Sequence, residues 1–166
     1  MTTRRPPLTV RAARRISATR AFARLAPRVV PALDHWVHRL TRGRVLPSTR
    51  MLPGAVITAR GARTGLPRAI PLACMPEQDG TWVLVGSNFG RPHHPAWTAN
   101  LLAHPDAGMN WKGDDFPVTA RLLEGAEREE TWARVLDFWP PYAAYQARID
   151  RRIRLFRLTR RPAPPP

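Results

Sequence analysis

The stretch 55-AVITARGARTGLPRAIPLACMPEQDGTWVLVG-86 decides the architecture. Residues 55–58, 69–75 and 81–86 are short apolar runs bounded by turn-forming residues, the pattern of successive strands. Gly61 and Gly65, inside the turn 60-RGARTGLPR-68, are available for positive φ, and Asp79-Gly80 signals a second turn. Strand follows strand with no crossover helix between them. That argues against a Rossmann sheet, whose parallel strands need such crossovers.

Working outward, the segment 87-SNFGRPHHPAWTAN-100 follows the third strand. Pro95 is well placed at the first turn of a helix over 96–104, which Pro105 stops. Residues 107–111 and 116–123 read as a hairpin with 112-KGDD-115 as its turn. Residues 127–138 read as an amphipathic helix with acids in its first turn, which suits the helix dipole. A proline-started helical segment over 139–151, a last strand over 153–158 and a disordered Pro-rich tail complete the chain. Upstream, 8–26 is an acid-free helical candidate with Leu8, Ala12, Ile16, Ala23 and Ala26 along one side, and 28–41 a second helix ended by Gly43. Six short strands with inserted and flanking helices give an α+β class and a small β-barrel. The expected division is a basic extension over 1–26, a barrel domain over 27–160 and a tail over 161–166.

Length and charge bound the function. A chain of 166 residues is one domain with at most an appended terminal segment. Its net charge of +15 is unevenly spread: +11 over residues 1–50, +6 over 148–161 and −2 between them. The barrel body is therefore near neutral, and the basic ends read as solvated flanks, the first of them suited to an anionic membrane surface. No specific nucleic-acid partner is expected. Cys74, the single cysteine, excludes an intrachain disulfide and a thiolate zinc cluster and fits a reducing compartment. No run is long and apolar enough to span a bilayer, so a cytoplasmic place is expected, at most peripheral to the inner face of the membrane.

Three constellations could carry chemistry. His93 and His94 could ligate a metal only with recruits among Cys74, His104 and Asp106, and that set does not make a site; no metal is expected. His94 is better read as fixing the start of the following helix. His35 and His38 share a helix face with no acid or cysteine near and read as surface residues. The turn 61-GARTG-65 exposes backbone N–H groups, with Arg63 a fixed cation, Thr64 a hydroxyl donor and Arg68 a second cation at the next strand start, a cradle for phosphate or carboxylate. In 139-WPPYAAYQ-146, Trp139, Tyr142 and Tyr145 recur every three residues on one helix face. Such a stripe is usually core, but the paired prolines make this segment short and rim-like, with room for the phenols to reach a ligand.

The segments 58-TARGARTGLPRAIPL-72, 86-GSNFGRPHHPAWTANLLAHP-105 and 137-DFWPPYAAYQARIDRRI-153 resemble, in this order, the deazaflavin-dependent nitroreductase family and its quinone reductase-like members. The resemblance covers about residues 53–158 and implies a split β-barrel binding coenzyme F420, an 8-hydroxy-5-deazaflavin, in preference to FMN. By position it implies that Arg63, Thr64 and Arg68 hold the coenzyme's anionic tail, with Ser87, Asn88 and Gly90 near the ring or the substrate. It sets His94, Pro95, Ala96, Trp97 and Asn100 against the ring, and makes Ala73, Trp139, Tyr142 and Tyr145 the substrate side. The implied activity is hydride transfer to a small electron-poor acceptor: a quinone, a nitro compound or an activated alkene. Ser87, Tyr142 and Tyr145 are the implied catalytic residues. The chain departs from the family pattern at Ala62, where a second basic residue is usual, at Ala73, and at Thr98. The alternative reading is a non-catalytic split barrel holding flavin, haem or deazaflavin, or a basic protein associated with membrane or nucleic acid; in either reading the chain is a monomer or a dimer.

Overall fold

A computed structural model describes residues 52–162, together with Ile16 and Thr19. The expected helices over 8–26 and 28–41, the basic extension, His35, His38 and most of the tail lie outside the described residues. The strands are β1 (Gly54–Arg60), β2 (Pro67–Pro76), β3 (Trp82–Val85), β4 (Asp106–Trp111), β5 (Asp114–Leu122) and β6 (Leu155–Arg160). They close into a barrel in the order β1-β2-β3-β6-β5-β4, antiparallel at every pairing. The helices are α1 (Ala96–Ala103), α2 (Gly125–Phe138) and α3 (Pro141–Gln146).

Alternation builds two cores. Directly paired residues share a face of the sheet. Ala55 and Ile57 of β1 pair with Leu72 and Ile70 of β2, and these residues, with Ala59, join Leu84, Met109, Phe116, Val118, Phe156 and Leu158 inside the barrel. Trp97 and Leu101 of α1 enter the same interior, Trp97 lying 5.6 Å from Phe156 between ring centroids. The opposite face of β3 and β6 carries Val83 and Leu155, which α2 and α3 cover with Val135, Trp139, Tyr142 and Tyr145. One half of the barrel's outside is therefore a second core.

The turns follow their residues. Lys112 and Gly113 take φ of 55° and 97°, both positive, so a two-residue turn joins β4 to β5 and Asp114 and Asp115 belong to the strand, not to the expected four-residue turn. Of the two glycines in the first turn, only Gly65 needs positive φ (65°). Gly61 is required for space: a Cβ there would stand 2.6 Å from the Thr64 hydroxyl oxygen.

The C-terminal arginines are not the solvated flank that charge counting suggests. Arg157 donates to Glu77 at 2.9 Å and pairs with Glu127. Glu127 also takes a two-pronged bond from Arg121 at 2.7 and 2.8 Å, so α2 is fastened to β5 and β6. Arg160 lies over the Phe116 ring at 4.4 Å, Arg152 pairs with Glu129, and Arg161 pairs with Asp106. The near-neutral middle supplies the acids that these cations answer.

Leu84 is fully buried between two strands, whereas Leu66, 59% exposed, sits in the turn. Leu84→Ala is expected to cost about 2–5 kcal/mol in denaturant unfolding, and Leu66→Ala less than about 0.5 kcal/mol.

Candidate functional site

Three elements meet around the loop that leaves β3. The register Cys74↔Leu84 brings the Ala73 end of β2 beside the Val85–Ser87 exit of β3. Ala73 is exposed and pairs with Gly54, on the sheet face opposite the barrel interior. From Ser87 the backbone enters a left-handed run, with φ of 48° at Asn88, 56° at Phe89 and 74° at Gly90. Two consecutive non-glycine residues in that region cost roughly 1–2 kcal/mol each, so the surroundings must hold them there. Asn88 spans the loop, its Nδ2 donating to the His93 carbonyl at 2.9 Å. Gly90 presses on α3, where a Cβ would meet the Tyr145 Cα and carbonyl oxygen at 3.1 Å. Only glycine fits both its φ and that approach.

Arg151, in the connection from α3 to β6, completes the restraint. Its guanidinium donates to the carbonyls of Gly86 (3.2 Å), Ser87 (2.9 Å) and Arg91 (3.0 and 3.1 Å), and meets His94 Nδ1 at 3.2 Å. No motif pointed to this residue, since its partners lie about sixty positions away. An arginine just after the aromatic helix, beside Asp150, gave no sign of these partners.

His94 does not fix the helix start as expected. Pro95 holds the N-cap position without any side-chain bond, and the imidazole turns to Arg151 instead. Burial, then Arg154, then Arg151 lower its pKa from the usual histidine value, so the ring stays neutral. Thr98 is fully buried, donating to the Pro95 carbonyl and accepting from Arg154. Trp97 belongs to the barrel core and is 7% exposed.

Asn100, further along α1, accepts the Ala62 N–H at 2.9 Å through Oδ1. This one bond fastens the basic turn to the helix that the His94 loop launches. Gly65 N–H to Gly61 carbonyl (2.8 Å) and Gly61 N–H to Leu66 carbonyl (2.9 Å) close the turn itself. Arg63, Thr64 and Arg68 are exposed, and neither arginine pairs with a carboxylate among the described residues. Their charge is available to an anion. The loop 86–95 thus leads into the start of α1, and the basic turn is tied to the same helix one turn further on, at Asn100.

The aromatic stripe is not the open rim that its prolines suggest. Trp139, Tyr142 and Tyr145 are 4%, 6% and 3% exposed, and they fill the core between α3 and the barrel. The prolines start a helix short enough to tuck its aromatic face against β3 and β6. Burial, with Tyr145 and Cys74 close by, pushes the Tyr142 phenol well above the tyrosine range, so it stays protonated. Ser87 is also buried, and its hydroxyl bonds to none of the described residues. Cys74 is buried inside the barrel with its thiol pushed up to about 12, which leaves it inert. Asp106 is taken by Arg161 and Thr119, and among the described residues no three His, Cys, Asp or Glu gather.

The family model described as F420H(2)-dependent quinone reductase matches residues 32–160. The chain belongs to this family. An F420H(2)-dependent quinone reductase of Mycobacterium tuberculosis is 31% identical over 134 residues, covering 75% of this chain and 86% of that protein. Among solved structures, an F420-H2 dependent reductase is 38% identical with a TM-score of 0.58, over 64% of this chain and 94% of its own. Another, described as a domain-swapped dimer, is 34% identical with a TM-score of 0.60, over 75% of this chain and 95% of its own. The protein is therefore an F420H(2)-dependent oxidoreductase with the split-barrel fold of these reductases, and its barrel is the one expected from the strand pattern. No helix among the described residues is long and apolar enough to cross a membrane.

Asn100→Ala leaves the helix intact but frees the Ala62 amide. The expected result is faster hydrogen exchange at Ala62 and its turn neighbours, about tenfold or more for a lost bond worth ~1.5 kcal/mol, with little change at Leu101. Unchanged exchange at Ala62 would show that the turn holds itself.

Proposed function

We propose that the reductase binds reduced deazaflavin along α1 and transfers hydride to a small electron-poor acceptor, a quinone first among nitro compounds and activated alkenes. The observation that carries this reading is the Asn100–Ala62 bond, because it sets the unneutralised cations Arg63 and Arg68 at a fixed distance from the loop that begins at Ser87. An anionic tail would lie on Arg63, Thr64 and Arg68, and the ring along Ser87, Asn88, Gly90, His94, Pro95, Ala96, Trp97 and Asn100. The donor set supports the fit: two guanidiniums, unpaired among the described residues, for phosphate or carboxylate at one end, and a wall of mixed polar and apolar residues at the other. When bound, the reduced coenzyme would supply a hydride, which carries both electrons of the reduction.

The protein's own part is orientation and hydrogen bonding. Ser87 is buried where the chain leaves β3, at the start of the left-handed loop that Gly90 packs on α3. From there it can donate to an acceptor oxygen as negative charge builds. A Tyr142 phenol kept protonated by burial acts as a donor and not as a base, and side-chain movement in α3 would be needed to bring it, Tyr145 or Trp139 to the substrate. Ala73, small and exposed on the same side, leaves room for the acceptor.

The test begins with absorbance titrations of the purified protein with deazaflavin and with FMN, followed by quinone-dependent oxidation of the reduced deazaflavin. Tight deazaflavin binding with turnover is the expected result, and binding without turnover to any of the three acceptor classes would leave a non-catalytic module. Arg63→Ala should weaken coenzyme binding by about 1–3 kcal/mol, the range for a charge-assisted bond. Arg91→Ala, whose side chain bonds no described residue, should weaken it less; equal effects would remove the tail assignment. Ser87→Ala should lower kcat on the order of 100-fold at unchanged coenzyme affinity, the scale of one lost oxyanion donor.

A further inference from the structure

Among the described residues, Arg151 is a half-buried cation that pairs with no carboxylate. Its bonds go to three carbonyls of one loop and to one ring nitrogen. A surface arginine would be solvated, and a structural one usually answers an acid, as Arg157 and Arg121 do here. Arg151 instead spends its donors on Gly86, Ser87, Arg91 and His94, the segment that flanks the left-handed run. These carbonyls lie at both ends of a strained turn, so the guanidinium ties its two ends together beside the Asn88 bond to His93 and the turn's own backbone bonds.

The His94 contact has a consequence of its own. Guanidinium nitrogens carry only donors, so Nδ1 of His94 must present its lone pair to Arg151. The proton of the neutral ring then sits on Nε2, at the opposite edge, and Nε2 donates to none of the described residues. The charged groups that face the ring are Arg151 and Arg154, both positive, and they oppose a second proton.

We infer that Arg151 is a positioning residue for the reduction: it holds the Gly86–His94 loop in its left-handed form and fixes His94 as the Nε2–H tautomer, a neutral donor on the wall of the coenzyme site. The inference rests on the proposed deazaflavin site for its functional half. A neutral fixed donor in that wall suits a carbonyl oxygen or ring nitrogen of the bound ring, where an imidazolium would add charge beside two arginines.

The experiment measures the tautomer and the turnover separately. Long-range proton–nitrogen spectra of the 15N-labelled full chain at neutral pH are expected to show His94 protonated at Nε2 and bare at Nδ1, with or without coenzyme. In Arg151→Met, which keeps bulk and removes every donor, the spectrum should move to mixed tautomers. Turnover should fall at least tenfold, and by more than coenzyme affinity falls. Arg151→Lys keeps the charge with fewer donors and should lie between the two, which covers the case in which the methionine variant does not fold. A wild-type ring protonated at Nδ1 or at both nitrogens overturns the inference, as does an Arg151 variant with an unchanged spectrum or unchanged turnover. A wild-type protein with the Nε2–H tautomer that binds no deazaflavin overturns the proposed function instead, and leaves the clamp standing as a feature of the fold.

Discussion

Closure of the barrel through β6 is the constraint on which the remaining structure depends. β3 has only four residues, and it is held on one side by β2 and on the other by β6, a strand that arrives seventy positions later in the chain. Until that pairing forms, Val83 and Leu155 have no common face for α2 and α3 to cover. The same event delivers Arg151 to the loop that leaves β3, since Arg151 enters the structure four residues before β6 begins. Barrel closure, the second core and the shape of the candidate site are thus consequences of one long-range pairing. Such non-local contacts are entropically costly to form and are repaid only when several interactions appear together.

Local pattern carried the strands and helices into view because alternation and helical period are properties of neighbours. Residues 55–58, 69–75 and 81–86 each announce a strand, and Pro95 and Pro105 bracket α1 within a residue. The turn glycines were legible as a pair, but their separate reasons were not: Gly65 answers to φ and Gly61 to a contact with Thr64. Contacts between distant segments left no such trace. Asn100 looks like any polar residue on a helix, and its bond to Ala62 crosses 38 positions. The arginines of the last segment looked like a charged flank because composition counts charges without pairing them. Glu77 and Glu127 both answer one of them, Arg157, from elements that no periodicity connects.

The aromatic stripe shows how the same residues can satisfy two readings. Spacing of three puts Trp139, Tyr142 and Tyr145 on one face, and both a core and a ligand wall need one aromatic face. The structure buries all three, yet α3 is only six residues long, and Gly90 and Phe89 of the strained loop rest against Tyr145. A short helix packed on a loop that must itself be clamped is a region where core and site share side chains. Stability and access to ligand are then set by the same contacts, and neither role can be altered alone.

Charge distribution at the candidate site follows the same economy. Acids in the described part of the chain serve α2, β5 and the outer ends of the strands, where Glu77, Glu127, Glu129 and Asp106 each take an arginine. Among the described residues, Arg63, Arg68, Arg151 and Arg154 pair with no carboxylate; the first two belong to the turn and strand start that Asn100 of α1 fastens at Ala62, and the other two bond to the loop after β3 and to Thr98 of α1. Four like charges on one side of a small barrel repel one another, and pairing any of them would relieve that cost. An anionic ligand would relieve it for the two at the turn. For Arg151 the relief comes from oriented carbonyl dipoles, which neutralise nothing but fix direction. The two pairs of arginines are therefore distinct: the side chains of Arg63 and Arg68 bond to none of the described residues, whereas Arg151 is engaged by the carbonyls of the loop after β3 and Arg154 by the Thr98 hydroxyl.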